Sequence, residues 1–321
     1  MKKLLLIIFA FIVALMITEL ISSVLLSYPK AYPSISYRIN DLLKSHRIIK
    51  IRAPYYKSIN SEGEIKIIEY NNIGLPGTDI DTNKKDGYIF LIGNSFVEAT
   101  TVSKNDQASS ILNNYIKQEN QSNQVINLGI STGDPYVQWF RTMFFEKFYK
   151  PSVVILVLES LWRVEKYLNR YDTIDFSQPD YFGNIIPKSL LYKLSFPFRA
   201  HFSFINLISQ TIPEKNNKIN INSEEFIPSN INIPERLTIC LDKFHDKYKE
   251  SFYIVSIIDD HFYNLKLKEH CDSIGIKFLF DESVMKTENL INGQGHLNEN
   301  GNSKLAEIIF EAIKEKLTNN E

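Results

Sequence analysis

Gly93-Asn94-Ser95 closes an apolar run of strand type in YIFLIGNSFVEAT. A serine hydroxyl is a weak nucleophile by itself. It needs a base to take its proton and N–H donors to hold the oxyanion that forms. Two other segments can bring these. In VINLGISTGD, Gly129 follows a second apolar run. A glycine there lets the backbone approach a ligand and aim its N–H at an oxyanion; a plain strand-to-helix turn is the other reading. In GQGHLNENGNSKLAEII, His296 stands just before the last helix, which Asn298 or Asn300 can cap. A histidine in a loop over strand ends suits a general base. The other histidines suit it less. His46 lies near the N-terminus, His201 in an irregular segment, and His245 and His270 on helices; His261 follows Asp259-Asp260, a cluster that reads as a helix start.

These residues can meet only if the fold carries them to one edge. Apolar, β-branched or aromatic runs at 88–92, 124–128, 152–158, 251–258 and 276–280 predict strands. Between and after them, 106–117, 136–148, 234–249, 262–273 and 300–317 predict helices, with Gly275 as a C-terminal stop. Continuous apolar strands alternating with helices predict a parallel sheet covered on both faces, a doubly wound α/β domain. Ligands of such domains bind beyond the carboxyl ends of the strands. Ser95, Gly129, Glu159, Asp259 and Asp281 all fall just past strand ends, on one rim. Residues 163–233 break the rhythm and read as an insertion.

The chain has 321 residues, with 36 Lys+Arg against 37 Asp+Glu, so no basic excess points to nucleic acid. Cys240 and Cys271 lack CxxC spacing, and no cluster of metal ligands is visible; they read as free thiols or as a disulfide in an oxidising compartment. Lys2 and Lys3 precede an apolar run from Leu4 to about Leu26, enough for a membrane helix. The expectation is a signal-anchor over 1–28, with a cytoplasmic N-terminus and the domain on the extracytoplasmic side. Glu19 inside that run is costly unless it meets the interface or a partner helix. Residues 29–85 are expected to be juxtamembrane, with turn chemistry in YNNIGLPGTDI (70–80), and 86–321 to form the domain.

FLIGNSFVEATTVSKND, VINLGISTGD, KPSVVILVL and GHLNENGNSKLAEII, in that order, resemble the SGNH hydrolases, or GDSL esterases. YNNIGLPGTDI resembles the segment preceding the catalytic domain in membrane-anchored members. The resemblance spans about 70–160 and 235–317. It implies a flavodoxin-like three-layer α/β/α domain with a central, mostly parallel five-stranded sheet, cleaving or transferring acyl esters without a cofactor. Ser95 matches the nucleophile, His296 the base, and the Ser95 and Gly129 N–H groups the oxyanion hole. The chain also departs from the pattern. Asn94 replaces the usual Asp of Gly-Asp-Ser. The third block usually carries Gly-x-Asn-Asp after the strand, the Asn donating to the oxyanion; here it runs LVLESLWRVE, with no Asn and with Glu159 and Ser160 as the nearest polar residues. Gly293 occupies the position of the Asp three residues before the histidine. Such an acid orients the histidine and stabilises its cation; Glu159, Asp259, Asp260, Asp281 and Glu282 are the rim carboxylates that can substitute. Three readings follow: a membrane-anchored esterase or O-acyltransferase acting on acetyl or other acyl esters of envelope carbohydrate, a scaffold holding a glycan or assembly partner in the same cleft, or a structural subunit gripping a membrane partner through Glu19.

Overall fold

Tyr88, Phe90 and Ile92 pack into one core while Ile89 and Leu91, between them, pack into another. The same alternation holds for Val154, Leu156 and Leu158 against Val153, Ile155 and Val157, as a sheet buried on both faces requires. The computed structural model describes residues 2–24, 35–39, 49–51, 57–60, 66–119, 121–131, 134–160, 168, 181–184, 233–291 and 295–318. Within them, α1 (Lys2–Val24) precedes four short strands: β1 (Ile35–Ile39), β2 (Ile49–Ile51), β3 (Lys57–Asn60) and β4 (Lys66–Glu69). The domain proper then runs β5 (Tyr88–Ile92), α2 (Ser95–Glu98), α3 (Ala108–Gln118), β6 (Gln124–Asn127), α4 (Pro135–Phe145) and β7 (Pro151–Leu158). After β8 (Tyr181–Asn184) come α5 (Glu235–Tyr248), β9 (Phe252–Ser256), α6 (His261–Ile274), β10 (Lys277–Phe280) and α7 (Glu299–Thr318).

The central sheet has the order β10-β9-β7-β5-β6, and every pairing in it is parallel. In chain order that is 2-1-3-4-5, the flavodoxin-like winding, whose switch point lies between β5 and β7. Residues of α4, α5 and α6 join the core on one face; residues of α3 and α7 join the other. The expected three-layer α/β/α arrangement with a five-stranded parallel sheet is therefore present. Outside it, β1 pairs antiparallel with β2 and β8, and β3 with β4.

Residues before the expected boundary at 86 also pack on the core. Leu75 and Ile80 are buried in the domain core. Their segment is tied by two amides. Asn71 Oδ1 accepts from Ile73 and Leu75 N–H at 3.0 Å each. Asn72 exchanges two hydrogen bonds with the Ile80 backbone, at 2.7 and 2.9 Å. Side-chain bonds of this kind impose shape without any hydrophobic period.

In α1 the apolar side chains from Leu6 to Leu20 are exposed. Several other side chains of that helix, Glu19 among them, lie outside the described set, and among the described residues no helix is long and apolar enough to cross a membrane. Of the expected insertion at 163–233, only Leu168, β8 and Ile233 are described; His46 and His201 fall outside the described residues.

Candidate active site

Ser95 opens α2, the helical turn that follows β5. Asn94 caps it: its Oδ1 accepts from Phe96 N–H at 3.0 Å, and its carbonyl accepts from Glu98 N–H at 2.9 Å. The Ser95 N–H, first in the turn, has no intrahelical carbonyl to bond and is available beside its own hydroxyl. The turn ends at Ala99, whose φ of 49° reverses the chain. Gly93 is required behind it, because a Cβ there would stand 2.5 Å from Val97 Cγ2.

His296 arrives from the opposite end of the chain. Its Nε2 lies 3.1 Å from Ser95 Oγ. Gly295, at φ +67°, turns the backbone into it. The His296 carbonyl accepts from Ile291 N–H at 2.8 Å, and Leu290 bridges Leu297. Asn298, one of the two expected caps, accepts from Gly301 N–H at 3.0 Å and donates to the Glu288 carbonyl at 2.8 Å. One turn further, Asn302 Oδ1 accepts from Ala108 N–H at 3.1 Å and joins α7 to α3. The Phe96 ring packs 5.6 Å from the imidazole.

The loop after β6 presses on the back of the Ser95 turn. A Cβ on Gly129 would stand 2.2 Å from Glu98 N and 2.6 Å from Val97 C, both backbone atoms that cannot swing away. The Gly129 N–H, expected at the oxyanion, donates instead to Asn127 Oδ1 at 2.9 Å. Gly129 thus contributes closeness, and its donor is engaged inside the fold. Asn127 was not singled out from the sequence. Fully buried, it donates to Val97 O at 2.7 Å and to Ser109 Oγ at 3.0 Å, linking β6, α2 and α3. Its one sequence signal is an amide directly after the apolar pair Val125-Ile126.

The five rim carboxylates have distinct positions. Glu159, buried at the end of β7, accepts from the Asn94 side-chain amide. Asp260 caps α6 through Tyr263 N–H at 3.0 Å, and Asp281 accepts from Ser283 N–H at 2.8 Å. Glu282 sits 3.0 Å from His261 Nδ1. Asp259 is solvent-exposed. The structure joins Glu159 to the nucleophile's neighbour, two of the others to helix starts and Glu282 to a different histidine. Gly293, where the acid of the resembled pattern would stand, lies outside the described residues. No group of three or more His, Cys, Asp or Glu that could hold a metal occurs among the described residues. Both cysteines are buried free thiols, so the disulfide alternative does not hold here.

No family model matches the chain, and no curated protein does. Solved structures do resemble it. One is the psychrotrophic esterase EstA from Pseudoalteromonas sp., at 12% identity and a TM-score of 0.42, covering 73% of this chain and 100% of that one. Another is a two-domain esterase active on acetylated mannans, at 12% identity and a TM-score of 0.40, covering 74% of this chain and 51% of that one. A third is the Clostridium thermocellum family 3 carbohydrate esterase, at 14% identity and a TM-score of 0.37, covering 73% and 98%.

Proposed function

We propose that this chain is a serine ester hydrolase or O-acyltransferase of the SGNH type, acting through Ser95 and His296. The observation that carries the reading is the 3.1 Å contact between His296 Nε2 and Ser95 Oγ, made by residues 201 positions apart at the carboxyl rim of the sheet. In the reaction, His296 Nε2 takes the hydroxyl proton as Ser95 Oγ attacks the ester carbonyl. The Ser95 N–H, at the start of a helical turn, faces the oxygen where negative charge develops. Collapse expels the alcohol, which receives the proton from His296. Water, or an acceptor hydroxyl in a transferase, then attacks the Ser95 acyl ester by the same steps in reverse.

The substrate proposed is an acyl, chiefly acetyl, ester of cell-envelope carbohydrate, with the chain held at the membrane by its N-terminal helix and the domain on the extracytoplasmic side. The exposed apolar side chains of α1 support the anchor; the resemblance supports the ester. The test is fluorophosphonate labelling and p-nitrophenyl acetate turnover by the full chain beside Ser95→Ala and His296→Ala. Labelling and turnover lost in both variants are expected. A folded wild-type chain that neither labels nor turns over would refute the reading.

One observation favours a second reading, a glycan-binding scaffold on the same fold. LVLESLWRVE lacks the amide donor that the resembled pattern carries after this strand; the nearest described carboxylate, Glu159, only accepts while ionised. Glycan retention by the Ser95→Ala chain, together with an inert wild type, would select it.

A further inference from the structure

Four successive N–H groups leave β6, and each is taken up inside the fold. Leu128 N–H goes to Leu91 O at 2.8 Å, Gly129 N–H to Asn127 Oδ1 at 2.9 Å, and Ile130 N–H to Gly93 O at 3.0 Å. The fourth, from Ser131, ends on a side chain: Glu98 Oε2 accepts it at 2.7 Å. The same oxygen accepts the Ser131 hydroxyl. Ser131 itself is exposed at the rim, whereas Glu98 is only 3% exposed.

A buried carboxylate is costly unless charge and hydrogen bonds compensate it. Here the compensation is specific. Arg141 of α4 is buried with it; desolvation draws the guanidinium down to about 10, while the Glu98 charge pulls it back up. Arg141 also donates from Nε to Leu128 O at 2.6 Å, at the other end of the same loop. The loop is thus gripped at Leu128 by the cation and at Ser131 by the anion. Glu98 is the last residue of the turn whose first is Ser95, so its carboxylate links that turn directly to the loop after β6.

We propose that Glu98 is a positioning residue for the Ser95–His296 pair: through Ser131 it holds the α2 turn against the loop after β6 and thereby sets the Ser95 hydroxyl before the imidazole. The proposal rests on the esterase reading for its catalytic consequence and on the fold alone for the clamp.

The test compares Ser131→Ala, Ser131→Thr and Glu98→Gln in the full chain, using p-nitrophenyl acetate kinetics and amide hydrogen exchange. Ser131→Ala removes one bond to a charged acceptor and is expected to lower kcat about tenfold, with KM within about twofold. Ser131→Thr retains the hydroxyl and is expected to recover to within about threefold of wild type. Glu98→Gln removes the charge and is expected to lower kcat about a hundredfold. In Ser131→Ala and Glu98→Gln, exchange should quicken in the peptide 93–100 and stay unchanged in β9. Kinetics and exchange both at wild-type level would overturn the proposal, as would a faster-exchanging α2 with undiminished kcat. If Glu98→Gln loosens the whole chain, Ser131→Ala decides alone. If the wild type is inert, the esterase reading falls, and the exchange measurement still decides whether the clamp exists.

Discussion

Asn94 and Glu159 bridge the switch point of the sheet: the amide that follows β5 donates to the carboxylate that follows β7. The same Asn94 side chain caps the nucleophile's turn through Phe96 N–H. The bond ties the start of the nucleophile's turn to the strand on the other side of the switch point, so the two side chains act as one coupled pair.

A coupled pair predicts a non-additive cycle. Asn94→Asp brings a second carboxylate against the buried Glu159 and should lower kcat/KM about tenfold or more, with a fall in thermal midpoint. Glu159→Gln retains an acceptor oxygen and should stay within about fivefold of wild type. The double variant Asn94→Asp/Glu159→Gln restores one donor and one acceptor, and should recover most of what Asn94→Asp loses. Kinetics and thermal unfolding of the four proteins check this; strictly additive effects would separate the two residues.

Two glycines of the site should respond in different ways to alanine. At Gly129 the added Cβ meets backbone at 2.2 Å, so the β6 loop and the Ser95 turn must part. Gly129→Ala should lower stability by about 2–3 kcal/mol or more and activity about a hundredfold. At Gly295 none of the described residues lies within 4 Å of the new Cβ, but φ is +67°. Gly295→Ala should cost about 1–2 kcal/mol from backbone strain alone. Denaturant titration and turnover of both variants distinguish crowding from strain.

The sheet was legible because its strands are built around apolar runs, continuous in β5, and β5 falls where the run at 88–92 places it. Ser95 and His296 were legible because residues that follow parallel strands or enter the last helix share one rim whatever the details of packing. The fate of individual N–H groups was not. Gly129 carries the right residue type at the right place, yet its donor goes to Asn127, and nothing in local sequence tells that a side chain two residues back will reach it. Glu98 was likewise invisible as a buried charge, since its compensation comes from Ser131 and Arg141, distant in sequence. The packing of the 70–80 segment on the core was hidden for a related reason: that segment is shaped by Asn71 and Asn72 side-chain bonds, which leave no periodic trace.

Asn298 ties the histidine loop to α7, and its removal should be felt at the site. Its Oδ1 accepts from Gly301 N–H, while Nδ2 reaches the Glu288 and Leu290 carbonyls, on the strand of chain that bridges Leu297. Asn298→Ala loses the cap and both carbonyl contacts and should destabilise by about 1–2 kcal/mol. Asn298→Asp retains the cap, where a carboxylate also favours the helix N-terminus, but presents no donor to the carbonyls. If the carbonyl contacts position His296, Asn298→Asp should lose kcat by about as much as Asn298→Ala while losing less stability. Equal stability losses with unchanged kcat in both would limit Asn298 to a capping role.

The two thiols give a prediction with a defined pH window. Burial pushes the Cys271 thiol up to about 12 and raises Cys240 well above its ordinary value of 9.0. Both thiols should therefore resist a thiol-directed disulfide reagent at pH 8 in the native chain, and both should react in denaturant. The stability consequence has a definite sign. In the unfolded chain a thiol loses its proton near 9, whereas the folded chain retains it to higher pH, so the unfolded state binds fewer protons across that interval. The stabilisation is complete below about pH 9 and is progressively lost toward about pH 12. Urea midpoints at pH 8 and pH 10.5 should fall in that order for the wild type, and the interval should narrow in Cys240→Ala/Cys271→Ala, in which neither thiol can titrate. An unchanged interval in the double variant would assign the alkaline loss to tyrosines such as the partly buried Tyr248, whose hydroxyl is raised by desolvation and by the Glu146 carboxylate beside it.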